Sequence, residues 1–395
     1  MDSRGQSDRS GIVRVGCAYL ALLSVSGFNQ PFFPIWLEVR GLSEWQISLV
    51  MSAPLLLRLF VTPAIGSFAD RSGRRNTVIR ILSVLVLATA LILSTATSFW
   101  PIIVLFSITL VMYQAIGPIV DAAAVSLVRQ GRATNFGRMR LWGSLGYASA
   151  ALLGGQILAF GGSDAVYMAF CAAILATVVA VFALPEAQLQ PLPEKEKDVR
   201  LTRQPLLVTV FVVTALVLSS QTAFNIFGSI YLKSIGYSDR AIGLMWALAT
   251  SSEIVMFWAG PRVSTVLGPF GLLSLAAGAS VVRWSLMAFA PSLPMLVLLQ
   301  MSHAATFSGS HLGLQKFMQF NVHDRRGATA QSAFVTLLGL ITAGATLAVG
   351  PLYHLLGSGV FLCAAAMPTL ALVLLLVVRT PLRASVPQPQ ADAAR

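Results

Sequence analysis

The segment Gly66–Arg75 reads GSFADRSGRR and separates two apolar runs, each long enough to cross a bilayer as a helix. Its glycines, aspartate and arginines predict a tight, positively charged turn. Short loops on the cytoplasmic side of membrane proteins are enriched in Lys and Arg, so this turn predicts both the environment and the orientation of the chain. The residues that define it are Gly66, Asp70, Arg71, Gly73, Arg74 and Arg75.

The composition of the whole chain agrees with a membrane environment. Of its 395 residues, 56% are hydrophobic and 11% are charged, whereas a soluble domain carries about 25% charged residues. The net charge of +12 would also suit a nucleic-acid-binding protein, but the Lys and Arg residues lie in short turns between apolar runs and form no stripe. We therefore expect a protein that contacts the lipid bilayer and no nucleic acid.

Apolar runs punctuated by Gly, Pro and charged clusters number about twelve, so we predict an all-α polytopic membrane protein. The first run is too long for a cleavable signal and is read as a span. The predicted spans cover residues 12–36, 44–69, 77–97, 100–128, 138–160, 164–184, 205–232, 240–262, 269–290, 293–320, 328–353 and 358–378.

The distribution of basic residues orients these spans. Alternate turns collect most of the arginines, and the opposite turns carry only Arg40, Lys233 and Arg240. The arginine-rich side is predicted to be cytoplasmic. We therefore expect a multi-pass protein of the cell inner (plasma) membrane with both termini in the cytoplasm.

The chain is predicted to consist of two similar halves. The polar stretch 185–204 separates an N-terminal bundle of six helices, residues 1–184, from a C-terminal bundle, residues 205–395, that ends in a short cytoplasmic tail. The pattern that runs from Trp36 to Ile47 recurs in the second half from Tyr231 to Ile242. Parallel repeats of this kind occur in transporters that work by rocking two bundles.

Ionisable residues inside the predicted spans are the main candidates for function, because each costs at least about 2.5–3.5 kcal/mol at the bilayer centre. We expect Asp121 to pair with Arg140 or Arg58, and Glu253 to pair with Arg283 or Lys316. These pairs would be either salt bridges that stabilise the fold or parts of a transport path. His303 is the further candidate, since histidine exchanges a proton near physiological pH.

Uncharged polar residues on the first and seventh spans form a second group of candidates. Asn29 belongs to the first span, and Gln221 and Asn225, four residues apart on the seventh, would share one helix face. They either form hydrogen bonds between helices or line a substrate cavity. The cysteines Cys17, Cys171 and Cys363 lie inside apolar runs without CxxC spacing, so we expect neither a disulfide nor a metal site.

The turn, the spans and the central linker together resemble the major facilitator superfamily over essentially the whole chain. Two further stretches are similar to the 3-phenylpropionic acid transporters and, more distantly, to lactose permease: NFGRMRLWGSLGY, residues 135–147, and QMSHAATFSGSH, residues 300–311. This resemblance implies the major facilitator fold, with twelve transmembrane helices in two six-helix bundles, and secondary active transport.

The resemblance also implies roles for individual residues. In the lactose permease pattern the acid on helix 4 and the second arginine on helix 5 hold the substrate, which assigns binding roles to Asp121 and Arg140, with Tyr147 as the stacking aromatic. Arg283 and His303 match the arginine and histidine of helices 9 and 10, and Glu253 resembles the glutamate of helix 8. The glutamate that carries the proton in the permease is replaced here by Thr306. Proton coupling would then depend on Glu253, Asp121 or His303, or on a proton carried by the substrate.

The expected function is a proton-coupled symporter that imports a small organic solute, such as the aromatic carboxylate 3-phenylpropionate, by alternating access. A sugar or nucleoside proton symporter, an efflux transporter and a non-transporting receptor of the same fold remain alternatives. No GxSxG, HExxH or P-loop motif is present, so an enzyme is not expected. We expect a monomer without a cofactor whose partners are its substrate, protons and lipid, and in which the Gly66–Arg75 turn acts as a cytoplasmic latch.

Overall fold

The structure is a computed structural model that describes residues 9–72, 75–129, 136–184, 204–322 and 327–384. Within these ranges all regular secondary structure is helical. The helices are α1 Arg9–Val39, α2 Glu44–Ser72, α3 Arg75–Leu93, α4 Phe99–Arg129, α5 Phe136–Phe182, α6 Pro205–Ser219, α7 Thr222–Ser234, α8 Asp239–Met287, α9 Leu293–Met301, α10 Gly309–Asn321, α11 Gly327–Leu356, α12 Val360–Val377 and α13 Arg379–Ala384.

Two of these helices are divided by a glycine in the left-handed region. Gly162 has φ of 73° inside α5, and Gly268 has φ of 60° inside α8. A side chain at φ in this range is strained, whereas glycine adopts it freely. Each long helix therefore consists of two arms, as predicted for the spans 138–160 and 164–184 and for the spans 240–262 and 269–290.

The described residues contain eight helical stretches that are long and apolar enough to cross a membrane. Two of them, residues 139–182 and 330–377, comprise 44 and 48 residues, more than twice the length of about 20 residues that one crossing needs. The prediction of an all-α polytopic membrane fold is confirmed. The number of twelve crossings stays a prediction.

Two spans that the sequence predicts as continuous are interrupted. Helix α6 ends at Ser219 and α7 begins at Thr222, so Gln221 lies in the break between them. Between α9 and α10, residues Ala304–Ser308 form a turn of π-helix. A π-turn adds a residue to the helical ladder and is frequent at functional sites; it directly follows His303.

The chain forms two compact units. The first comprises Met1–Lys195, Phe224–Ser251 and Thr346–Leu355, and the second comprises Glu196–Ala223, Ser252–Ala345 and Leu356–Arg395. The core of the second unit is built from α6, the second arm of α8, α10, α11 and α12, around Phe211, Phe317 and Phe334. The predicted division into two six-helix bundles stays a prediction, and most of the predicted linker 185–204 lies outside the described residues.

Part of the predicted cytoplasmic turn also lies outside what the structure describes, and its first residues, 66–72, are not a turn but continue helix α2. Gly73 and Arg74 fall outside the described residues altogether. For the other four, only the helical backbone of α2 and α3 is described: Gly66, Asp70, Arg71 and Arg75. The role of this turn as a latch stays a prediction.

Candidate functional site

In the first unit, α1 and α5 approach each other backbone to backbone through glycines. A Cβ atom on Gly27 would lie 2.8 Å from the Cβ of Ala150, and one on Gly146 would lie 2.9 Å from the carbonyl carbon of Leu20. Both distances are well inside van der Waals contact, so only glycine permits this packing. The approach brings Tyr19 on α1 close to Arg140 on α5.

Tyr19 is the centre of a polar group formed by α1, α4 and α5. Its hydroxyl donates a hydrogen bond to Oδ1 of Asp121 at 2.5 Å, and the guanidinium of Arg140 lies 5.5 Å from the centre of its ring. Only 1% of Tyr19 is exposed. The structure thus differs from the predicted direct pair of Asp121 with Arg140, because the tyrosine occupies the carboxylate oxygen and lies beside the cation.

The guanidinium of Arg140 rests over Gly143 on its own helix, where a Cβ atom would come within 2.7 Å of Nη1. Among the described residues, Arg140 has neither a hydrogen-bond acceptor nor a carboxylate within 4 Å. It is half-buried. A half-buried cation without a counter-ion is suited to binding an anionic group.

Of the remaining candidates of the first unit, Arg58 and Tyr147 form hydrogen bonds with other helices. Nη1 of Arg58 donates to Oε1 of Gln114 at 3.3 Å, so the predicted pair of Arg58 with Asp121 is not formed. The hydroxyl of Tyr147 donates to Oε1 of Gln30 at 3.0 Å. Oδ1 of Asn29 is buried without a donor in the described part of the chain.

The second unit holds a continuous chain of ionisable side chains. Nη1 of Arg283 contacts Nδ1 of His303 at 2.8 Å, and Nε2 of His303 contacts Oε1 of Glu253 at 2.6 Å. The structure therefore brings together three residues that the sequence placed on different spans. It differs from the predicted direct pair of Glu253 with Arg283, because the imidazole of His303 lies between them.

Arg283 is only 2% exposed and has further neutral partners. Its Nη2 donates to Oε1 of Gln300 at 2.7 Å, and its Nη1 donates to Oγ1 of Thr306 at 3.3 Å. Thr306 thus accepts a hydrogen bond from Arg283 at the position where the permease pattern has a glutamate. Glu253 supplies the negative charge of this array through His303.

Three other predicted residues lie apart from these groups. Nζ of Lys316 lies 4.9 Å from the centre of the Phe320 ring, and Glu253 contacts His303 instead. Nε2 of Gln221 is buried without an acceptor among the described residues. Asn225 belongs to α7, beyond the break that contains Gln221, so the two do not lie on one continuous helix.

Sequence reasoning missed Tyr19, Gly143 and Gln300. The sequence around Tyr19 and Gly143 gives no sign of a functional role. The partners of Tyr19 lie on other helices, and Gly143 matters only because the side chain of Arg140 folds back over it. Gln300 is completely buried inside an apolar helix, and an amide in that setting is the one signal that would have pointed to it. No group of three or more metal-ligating side chains is present among the described residues.

Comparison with known proteins gives consistent results. The model of the MFS_1-like family matches residues 12–362. A "Probable 3-phenylpropionic acid transporter" of Escherichia coli (strain K12) is 25% identical over 85% of this chain and 89% of its own length. The maltose permease of Geobacillus stearothermophilus is 30% identical over 70% of each chain.

Solved structures share the fold at lower identity. The nucleoside transporter NupG superposes with a TM-score of 0.80 at 15% identity, over 93% of this chain and 98% of its own. A bacterial homologue of the human lysosomal transporter Spinster, in an inward-facing and unoccupied conformation, superposes with a TM-score of 0.78 at 14% identity, over 97% of this chain and 100% of its own. Together with the family match over most of the chain, these likenesses show that the protein is a transporter, not an enzyme, and that it belongs to the MFS_1-like family of the major facilitator superfamily.

Proposed function

We propose that this transporter imports a small organic carboxylate together with a proton, by alternating access, and that 3-phenylpropionate is representative of its substrates. The observation that carries the proposal is the chain Glu253–His303–Arg283 inside the second unit. An acid linked to a deeply buried cation through an imidazole is a proton site whose occupancy changes the local charge. The 3-phenylpropionic acid transporter of Escherichia coli, 25% identical, supports the choice of substrate.

The contacts of His303 support one position for its proton. An arginine nitrogen only donates hydrogen bonds, so the Nδ1 atom that faces Arg283 must be an acceptor. The proton of the neutral imidazole is then on Nε2, which donates to the carboxylate of Glu253 at 2.6 Å. A second proton on His303 would have to face the guanidinium. We therefore assign the transported proton to Glu253 and not to His303.

Protonation of Glu253 would remove the negative charge that balances Arg283. Leaving one member of a buried ion pair without its partner costs about 3–5 kcal/mol. Uptake of one anion together with one proton moves no net charge, so the membrane potential does not oppose it. Coupled uptake of a carboxylate and a proton is thus favoured over uptake of either alone. Another ionisable group near this array is His311, whose Nδ1 contacts the carbonyl oxygen of Phe307 at 3.0 Å.

The test uses the variant Glu253→Gln in proteoliposomes with an imposed proton gradient. We expect it to lose accumulation of 3-phenylpropionate against a gradient but to retain exchange of internal for external substrate, because exchange needs no net proton transfer. A variant that accumulates substrate with unchanged dependence on the proton gradient would remove Glu253 from the proton path.

The chain offers a matched control for this experiment. Glu44 also faces a histidine, with Oε2 lying 3.4 Å from Nδ1 of His354, but both side chains are substantially exposed at 39% and 69%. The variant Glu44→Gln should accumulate substrate like the wild type, since solvent screens the charge at an exposed pair. Loss of accumulation in both variants would indicate a general effect of removing a carboxylate.

A sugar or nucleoside symporter is the second candidate. The maltose permease that is 30% identical favours a sugar. The purified protein is mixed separately with 3-phenylpropionate, maltose and a nucleoside, and its melting temperature is measured each time. The compound that binds raises the melting temperature, which discriminates among these substrates. Transport in right-side-out and inverted vesicles then discriminates import from export.

The setting of the protein is part of the same proposal. We propose a monomer in the cell inner membrane, with both termini in the cytoplasm, on the basis of the asymmetric distribution of arginines in the sequence. Cysteine labelling from either side of the membrane at the two ends of the chain tests this orientation.

A further inference from the structure

We infer that Tyr19 makes this transporter selective for anions by holding Asp121 away from Arg140. The inference rests on the proposed function and deepens it, because it names the residue that favours a carboxylate over a neutral hydroxylated solute. Tyr19 acts through its neighbours and is therefore a positioning residue.

The first step concerns the carboxylate. The hydroxyl of Tyr19 donates to Oδ1 of Asp121 at 2.5 Å, a length typical of a strong hydrogen bond to an ionised acceptor. The tyrosine is 1% exposed, so its hydroxyl is shielded from solvent. Asp121 thus has its partner within the protein and is not drawn to the guanidinium.

The second step concerns the cation. Arg140 faces the ring of Tyr19 at 5.5 Å, and it has no acceptor among the described residues. A carboxylate and a guanidinium at this depth would attract each other strongly if nothing separated them. Tyr19 keeps the pair apart by a hydrogen bond to one member and by its aromatic face towards the other. The five donors of the guanidinium then remain for a substrate anion.

The third step concerns selectivity. A sugar hydroxyl both donates and accepts hydrogen bonds, so it is held best by an acid that accepts together with a cation that donates. A carboxylate substrate needs only the donor, and the carboxylate of Asp121 would compete with it for the same guanidinium if the two were free to pair. By occupying Asp121, Tyr19 favours the anion over the neutral solute at the same arginine.

The experiment measures the binding of two matched probes, 3-phenylpropionate and its neutral amide 3-phenylpropionamide, to the full-length protein. In Tyr19→Phe the ring remains and only the hydroxyl is lost, so Asp121 becomes free to pair with Arg140. We expect the Kd for 3-phenylpropionate to rise by about ten- to a hundredfold. The Kd for the amide should change by less than about threefold, because a neutral amide does not depend on the net positive charge of Arg140.

Rescue distinguishes positioning from a merely structural role. Adding Asp121→Asn to Tyr19→Phe removes the competing carboxylate, and we expect the affinity for 3-phenylpropionate to return to within about threefold of the wild-type value. The control is Tyr167→Phe, which removes another buried hydroxyl, one that donates to the carbonyl oxygen of Ala90 at 2.8 Å. It should alter neither Kd. Tyr19→Met, which also fills the space without a hydroxyl, replaces Tyr19→Phe if that variant does not fold.

The outcomes separate the two levels of the proposal. An unchanged Kd for 3-phenylpropionate in Tyr19→Phe overturns the inference and leaves the proposed function intact. Equal weakening of both probes without rescue by Asp121→Asn overturns it as well, since it indicates a structural role. If the wild type binds neither probe, the proposed carboxylate substrate fails, and the inference fails with it.

Discussion

The contact between α1 and α5 can be tested by adding a single methyl group. In Gly146→Ala the new Cβ atom would lie 2.9 Å from the carbonyl carbon of Leu20 and 3.0 Å from its Cα. These neighbours belong to the backbone of α1, so no side-chain rotation relieves the overlap. The two helices must move apart instead.

The size of the effect follows from these distances. Carbon atoms in van der Waals contact lie about 3.5–4.0 Å apart, so the helices must separate by roughly 0.5–1 Å, and such a gap removes about a quarter to a half of the attraction between the atoms that now touch. Overpacking of this kind typically costs about 1–3 kcal/mol. Tyr19 precedes Leu20 directly, so its position relative to Arg140 changes as well.

A second glycine provides the control. A Cβ atom on Gly278, inside α8, would have no neighbour within 4 Å. Alanine at such a helical position stabilises by about 0.5–1 kcal/mol, so the two variants should differ by about 1.5–4 kcal/mol. Thermal unfolding of the purified proteins in detergent, with and without 3-phenylpropionate, measures this difference. If Gly146→Ala melts at the same temperature as Gly278→Ala, the close approach of α1 and α5 is refuted.

Three further variants test other contacts. Arg283→Lys should lower the free energy of unfolding by about 2–4 kcal/mol and abolish coupled uptake, because an ammonium cannot reach both the completely buried Gln300 and His303. Retained uptake would show that the planar guanidinium is not required. Asp164→Asn should cost at most about 1 kcal/mol, since the side chain of Asp164 is 75% exposed where it pairs with Arg40. In contrast, Trp36→Phe should lower the free energy of unfolding by more than Asp164→Asn does, because Trp36 is 1% exposed and stacks on Tyr167 at 4.6 Å. The opposite order of melting temperatures would mean that the ion pair, and not the packing, stabilises this end of α1.

The membrane fold was predictable from the chain because its causes are local or compositional. Few charges, apolar runs of about 20 residues and arginines gathered in short turns are readable without any tertiary contact. The prediction of two arms separated by a turn near residues 161–163 is matched by the positive φ of Gly162, since the preference of glycine for that region is a property of the residue itself. The break at Gln221 and the π-turn after His303 were not predicted, because hydropathy does not register the loss or gain of one hydrogen bond in a helix.

The candidate residues themselves were also found from the chain, since an ionisable group in an apolar run is conspicuous. Their partners were not, because a pair between helices depends on which faces meet and how closely they approach. Asp121, Arg140, Glu253 and Arg283 are visible in the printed sequence. That Tyr19 contacts both of the first two, and that His303 links the last two, follows only from the folded arrangement, because these contacts join side chains from distant parts of the chain.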